Sequence, residues 1–151
     1  VLLKGFDNNG FVFYTNYLSR KGKEIAKNPL GALILFWGTL ERQVRIEGTI
    51  EKISKEDSIK YFHTRPRKSQ MSAVISPQSQ EISDRGLLEK KWQEAETEYG
   101  ENDIPKPSFW GGYVLKPRLI EFWQGRQSRL HDRILYKKID NKHWKKVRLA
   151  P

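Results

Sequence analysis

Hydrophobic and polar positions alternate with a period of two between Gln43 and Ile50. Val44, Ile46, Gly48 and Ile50 fall on one face, and Gln43, Arg45, Glu47 and Thr49 on the other. That alternation predicts a half-buried β-strand. The apolar run Ala32-Leu33-Ile34-Leu35-Phe36-Trp37 reads as a second strand, buried. Residues 1–4 and 11–15 are rich in β-branched and aromatic side chains. Asp7-Asn8-Asn9-Gly10 between them tolerates positive φ, so the two are expected to pair as a hairpin. Residues 113–116, 119–124, 134–139 and 143–149 complete a set of about eight strands, with Asp140-Asn141 as the last turn.

Elsewhere the period lengthens. Ser19 is placed to cap a helix over residues 20–27, which Asn28-Pro29 stops. Ser54-Lys55-Glu56-Asp57 opens a helix to Thr64 that Arg65-Pro66 closes, and residues 69–75 form another. Ser83-Asp84 caps the longest helix, residues 85–99, where Leu88, Trp92, Ala95 and Tyr99 share a stripe suited to core packing. Ile104-Pro105-Lys106-Pro107 reads as a stiff connector. Helices inserted among closely spaced strands, rather than alternating with them, predict a mainly β fold: a small closed or split β-barrel carrying helices. A doubly wound sheet is disfavoured, and neither G-x-G-x-x-G nor a P-loop pattern is present.

A length of 151 residues suits one domain spanning the chain. The chain opens on Val-Leu-Leu-Lys as if within a strand, which leads us to expect a segment upstream of residue 1. With no Cys, disulfides and thiolate metal sites are excluded, and nothing points to an oxidising compartment. No apolar run approaches the roughly 20 residues of a membrane helix. A cytoplasmic protein without a membrane partner is the expectation. The net charge of +10 favours anionic partners: nucleic acid, anionic membrane or phosphorylated small molecules. The Lys-rich tail (Lys137, Lys138, Lys142, Lys145, Lys146) alternates with apolar positions and reads as the solvated face of a terminal hairpin rather than a nucleic-acid patch.

His63, His131 and His143 are scattered without zinc-site spacing, so no metal is expected, and no G-x-S-x-G elbow marks a serine nucleophile. Ser19-Arg20-Lys21 at a helix N-terminus could hold a phosphate through backbone amides and two cations, or could be a solvated cap. Tyr61, Arg65 and Ser69, spaced by four, could converge on a second phosphate. Gln78-Ser79 offers amide and hydroxyl groups in a loop. The densest cluster is Glu121-Phe122-Trp123-Gln124-Gly125 followed by Ser128-Arg129-Leu130-His131-Asp132-Arg133, either a binding loop on a rigid scaffold or a salt-bridged turn.

Together with Arg42-Gln43-Val44-Arg45-Ile46-Glu47-Gly48, Tyr61-Phe62-His63-Thr64-Arg65-Pro66-Arg67, Pro107-Ser108-Phe109-Trp110-Gly111-Gly112 and Arg148-Leu149-Ala150-Pro151, these blocks resemble the pyridoxamine 5'-phosphate oxidase family in order and spacing. The resemblance implies an FMN-binding split β-barrel that acts as a homodimer with FMN at the subunit interface. It further implies that the enzyme converts pyridoxamine or pyridoxine 5'-phosphate to pyridoxal 5'-phosphate, with O2 as acceptor and H2O2 as product. Carried over position by position, FMN contacts would be Val1, Leu2, Leu3, Lys4, Tyr14, Thr15, Gln43, Gln78, Ser79, Trp123 and Arg133, with Ser19, Arg20 and Lys21 on its phosphate. Lys4, Tyr61, Arg65 and Ser69 would hold the substrate phosphate. Arg129 and His131 would lie over the substrate ring as the catalytic pair.

Two rivals set the limits of this expectation. Another FMN-binding split-barrel oxidoreductase or flavin reductase would have no need of Tyr61, Arg65, Ser69, Arg129 and His131. A flavin-free nucleic-acid-binding barrel would show binding that collapses with salt.

Overall fold

A computed structural model describes residues 1–151. Seven strands and four α-helices follow in the order β1 (Leu3–Asp7), β2 (Gly10–Asn16), α1 (Arg20–Lys27), β3 (Leu30–Trp37), β4 (Arg42–Lys52), α2 (Lys55–Thr64), α3 (Arg67–Ile75), α4 (Gly86–Tyr99), β5 (Trp110–Gln124), β6 (Asp132–Lys138) and β7 (Trp144–Leu149). The strands form one sheet of order β1-β2-β5-β4-β3, with β6 paired to β5 and β7 to β6. The residues fall into two compact units. The first holds residues 1–4, 12–28 and 52–113, and the second residues 5–11, 29–51 and 114–151.

The first unit carries the helices. Ser19 caps α1 by accepting from the Gly22 amide, and Ser54 caps α2 by accepting from Asp57. Arg65 leaves the helix in extended backbone ahead of Pro66, as a pre-proline residue must. α3 begins two residues before the expected start, with Pro66 as its cap. Its core is Phe62, Met71, Ala95, Ile104 and Trp110, with Trp92 and Tyr99 of the α4 stripe packed against it.

The second unit is built from hairpins. β3 and β4 pair antiparallel from Leu30↔Thr49 to Trp37↔Arg42. β5 pairs with β6 from Leu119↔Lys137 to Gln124↔Asp132, and β6 with β7. The alternation in β4 buries Ile46, Gly48 and Ile50 as expected. The last turn is tied by Asp140, whose carboxylate accepts from the amides of Lys142 and His143.

Three expectations are corrected. The opening strand runs Leu3–Asp7 rather than over residues 1–4, because the Asp7 carboxylate caps the turn, accepting from the amides of Asn9 and Gly10. The two strands expected at 113–116 and 119–124 are one strand of 15 residues, so the sheet has seven strands and not eight. Pro117 lacks an amide donor but fits extended backbone, and here it does not end the strand. Third, β3 is not buried. It ends the strand order, and Leu30, Ile34 and Phe36 are 57%, 56% and 64% exposed. An apolar run marks a strand, but cannot tell an edge from a centre.

Gly48 explains how β4 passes the Lys116–Pro117 stretch. A Cβ at Gly48 would stand 1.9 Å from the Lys116 carbonyl oxygen, a backbone atom that no rotamer change can move. Gly48→Ala is therefore expected to lower stability by about 1–3 kcal/mol. Chemical denaturation of the two proteins checks this, and an unchanged midpoint would refute it.

Candidate active site

A cavity of about 820 Å³ opens in the first unit, within the size range of cofactor and small-ligand pockets. Its cationic lining residues are Lys4, Lys21 and Arg65, and no Asp or Glu lines it. Three cations without a carboxylate make a site for anionic groups, since nothing in the wall neutralises them.

Arg65 is the sharpest feature. As the residue that terminates α2, its extended backbone turns its side chain from the helix to the cavity. Its guanidinium carbon lies 4.7 Å from the Trp110 ring centroid and 5.7 Å from that of Phe62. These contacts shield the group, and burial pushes its pKa down. Nη1 is buried and has no hydrogen-bond partner in the chain. A buried cationic donor without an acceptor carries a desolvation cost that an anionic oxygen would relieve. The aromatic wall continues through Tyr61 and Tyr14, stacked with ring centroids 3.8 Å apart, and Tyr14 lies 5.4 Å from Trp110. Burial, then the neighbouring Tyr61, raises the Tyr14 pKa, so its phenol stays neutral at physiological pH.

A second polar group is drawn together from three elements. Thr15 Oγ1 of β2 donates to Gln78 Oε1 at 3.0 Å, and Lys21 Nζ of α1 donates to the same oxygen at 3.1 Å. Thr15 and Gln78 stand 63 positions apart in the chain. Lys21 thereby faces the cavity with a fixed side chain.

The cavity thus gathers ten of the residues expected from the sequence. Val1, Leu2 and Lys4 come from the opening segment, and Tyr14, Thr15 and Lys21 from β2 and α1. Tyr61, Arg65, Ser69 and Gln78 complete the set. Leu3, Ser19, Arg20 and Ser79 do not line it. Ser19 is wholly buried, its hydroxyl donating to the Asn16 carbonyl at 2.7 Å and accepting from the Gly22 amide, so its side chain serves its own helix. Arg20 pairs with Glu24 at 2.9 Å on the exposed face of α1. Ser79 holds a φ of 68° in the loop after α3.

The remaining expected residues belong to the second unit. Gln43 is half-buried on β4, opposite Phe36. Trp123 on β5 sits opposite Arg133 on β6, which makes a two-point ion pair with Glu121 at 2.7 and 3.1 Å. Between the strands, a turn carries Ser128 and Arg129 at φ of 56° and 62°, the left-handed region that is costly for side-chain-bearing residues. Arg129 is exposed there. His131 packs against Trp123, with ring centroids 4.9 Å apart, and its Nδ1 accepts from the Arg126 amide at 3.1 Å.

Residues 1–99 match the family described as pyridoxamine 5'-phosphate oxidase. Residues 110–151 match the pyridoxine 5'-phosphate oxidase C-terminal dimerisation region. This chain belongs to the pyridoxamine 5'-phosphate oxidase family. It is 54% identical over 151 residues to the pyridoxine/pyridoxamine 5'-phosphate oxidase of Nostoc punctiforme, a match covering all of this chain and 71% of that protein. The enzyme of the same name from Aliarcobacter butzleri is 55% identical with the same coverage. A crystal structure of PhzG from Burkholderia lata, in complex with tetrahydrophenazine-1-carboxylic acid, superposes with a TM-score of 0.90 at 29% identity, covering 99% of this chain and 72% of that one. A pyridoxamine 5'-phosphate oxidase-related, FMN-binding protein of Nostoc punctiforme gives 0.75 at 17% identity, covering 99% and 78%, and shares the fold. The fold class is the family's split barrel, mainly β with inserted helices, as the strand pattern predicts.

Within the pyridoxamine 5'-phosphate oxidase family blocks, the sequence reading missed the part played by Trp110. It lines the cavity and carries the Arg65 contact, but was read only as part of a motif. The available signal was the Gly111-Gly112 pair beside it. A Cβ at Gly111 would meet the Tyr17 hydroxyl at 2.1 Å, and one at Gly112 would meet Ile53 at 2.3 Å, so this stretch packs unusually close to its neighbours. Asn16, Thr64, Ser72 and Ser76 also line the cavity. Small polar residues of this kind carry no pattern a sequence could reveal.

Proposed function

We propose that this chain is the catalytic body of an FMN-dependent pyridoxine/pyridoxamine 5'-phosphate oxidase, forming pyridoxal 5'-phosphate from a phosphorylated B6 substrate. The observation that carries this reading is the cavity lined by three cations and no carboxylate, with the buried, unpartnered Nη1 of Arg65 in its wall. Family membership supplies the chemical class.

Arg65, with Lys4, Tyr61 and Ser69, holds the substrate phosphate. Each charge-assisted hydrogen bond contributes on the order of 1.5–3 kcal/mol. Lys21, Thr15 and Gln78, with Val1, Leu2 and Tyr14, form the FMN side of the cavity, and Leu3 adds an FMN contact from outside the cavity wall. Ser19 acts there by capping α1 with its hydroxyl rather than by touching the phosphate, and Arg20 and Ser79 stand outside the cavity wall as approach residues for the FMN phosphate. Gln43, Trp123 and Arg133 are further FMN contacts, and Arg129 and His131 orient the substrate ring and support proton transfer. Bound FMN would supply the acceptor for hydride from the substrate's C4', with O2 as the final electron acceptor and H2O2 as product.

The enzyme works as a homodimer with FMN at the subunit interface. The match of residues 110–151 to a dimerisation region supports this. So do the exposed Leu30, Ile34 and Phe36 of β3, an apolar edge suited to a subunit contact. Nucleic acid is no part of the reading, because two phosphate-bearing ligands account for the cationic cavity. No helix is long and apolar enough to cross a membrane.

FMN added to the protein and followed through desalting tests the proposal. Flavin absorbance is expected to be retained and to bleach anaerobically on adding pyridoxamine 5'-phosphate. Retained flavin that the substrate fails to bleach would favour a different split-barrel oxidoreductase. Loss of all flavin would overturn the cofactor assignment.

A further inference from the structure

The turn that presents Arg129 and His131 is held by a side chain with no assigned role. Gln124 and Asp132 are the last paired residues of β5 and β6, so Asp132 stands at the base of the turn. Its Oδ2 accepts from Arg126 Nε at 2.8 Å, and its Oδ1 from Arg148 Nη1 at 2.5 Å. Arg126 follows Gly125 at the start of the turn, and Arg148 lies on β7, opposite Ile134 of β6. The carboxylate therefore ties Arg126 of the turn to the neighbouring strand. Hydrogen bonds from Arg126, then Arg148, hold the Asp132 carboxyl below the usual carboxylate range.

What this tie positions is a proton. The Arg126 backbone amide points at His131 Nδ1. An amide N–H can only donate, so Nδ1 must accept through its lone pair, and the neutral imidazole carries its hydrogen on Nε2. The Trp123 ring limits rotation of the imidazole from one side. Arg126 thus has two jobs: its side chain is anchored by Asp132, and its amide selects the His131 tautomer.

We propose that Asp132 is a positioning residue for the oxidase reaction: by anchoring Arg126 it fixes His131 as the Nε2–H tautomer and aims that hydrogen away from the turn, toward the substrate. This rests on the reading that His131 meets the substrate. The three residues of the tie are partly exposed, Asp132 at 36%, Arg126 at 60% and Arg148 at 66% for their side chains. Ion pairs of that exposure contribute little to stability. Losing Asp132 should therefore disturb geometry without unfolding the protein, which separates a positioning role from a structural one.

The test compares the FMN-loaded protein with its Asp132→Asn and Asp132→Glu variants. Asn keeps the shape but cannot accept from both arginines with both side-chain atoms, because its amide nitrogen is a donor. Turnover of pyridoxamine 5'-phosphate by Asp132→Asn is expected to fall about tenfold, with KM, FMN content and melting temperature unchanged, and Asp132→Glu should recover part of the loss. Nitrogen-15 NMR of the imidazoles at pH 8 is expected to show His131 as one Nε2–H tautomer in the parent and as a mixture in Asp132→Asn. Unchanged turnover and an unchanged tautomer would overturn the proposal, as would a loss of turnover in step with FMN content and melting temperature. His131→Asn distinguishes the two layers. If that variant retains full turnover, the reading of His131 fails; if it is impaired while Asp132→Asn is silent, only the positioning role fails.

Discussion

Arg65→Ala should raise the KM for pyridoxamine 5'-phosphate by about 100- to 10,000-fold, while FMN content stays close to that of the parent. The buried Nη1 has no acceptor in the chain, so the substrate phosphate is the group that would complete it. Two charge-assisted bonds to a phosphate contribute about 3–6 kcal/mol, and each 1.4 kcal/mol is a factor of ten in affinity. Lys should restore only part of this, because its point charge cannot reproduce a planar fork stacked on Trp110. Steady-state kinetics with the phosphorylated substrate and with unphosphorylated pyridoxamine provide the check. The variant should lose most of its preference for the phosphate ester, whereas a preserved preference would mean that Arg65 does not bind the phosphate. A second consequence follows from burial. In the absence of ligands the desolvated guanidinium is a cost to the fold, so Arg65→Met should melt no lower than the parent.

The second large effect concerns Arg129. Arg129→Leu is expected to lower turnover by about 100-fold with little change in FMN content, the scale typical of removing a group that acts on the reacting centre. Arg129 is exposed and sits with Ser128 in the left-handed region, so two adjacent side-chain-bearing residues hold an unfavourable backbone. Such strain costs of order 1–3 kcal/mol per residue and collects where function demands it. Arg129→Gly separates the two contributions. It removes the same guanidinium but relaxes the backbone, so it should be as inactive as Arg129→Leu and melt higher. A single-turnover measurement under anaerobic conditions reads the loss directly. Equal loss of turnover and of FMN would count against an action on the substrate.

Legibility of the fold tracks the range of the forces involved. α1 runs Arg20–Lys27 behind Ser19, and α2 stops at Thr64 before Pro66, as expected from the sequence. Caps, proline sterics and a 3.6-residue stripe are local properties, set within a few positions. The alternation of β4 was legible for the same reason. The site was partly legible because Tyr61, Arg65 and Ser69, spaced by four across the junction of α2 and α3, line the same cavity. Ser19 was the instructive exception. Its type and position suited both a phosphate and a cap, and only the hydrogen bonds to Asn16 and Gly22 separate the two.

The sequence by itself determined where most elements begin and end, the one-face burial of β4, the anionic preference that follows from +10, and the family to which the blocks belong. Tertiary structure decided the rest. It ran one strand through Pro117, left the apolar β3 at the end of the sheet, and seated Arg65 on Trp110, 45 positions away, with one donor unpaired. It also brought Thr15, Lys21 and Gln78 to a shared oxygen. The physical reason is the same in each case. Local backbone preferences are written into neighbouring residues, whereas burial, pairing partners and the satisfaction of a charged donor depend on segments that meet only when the chain has folded.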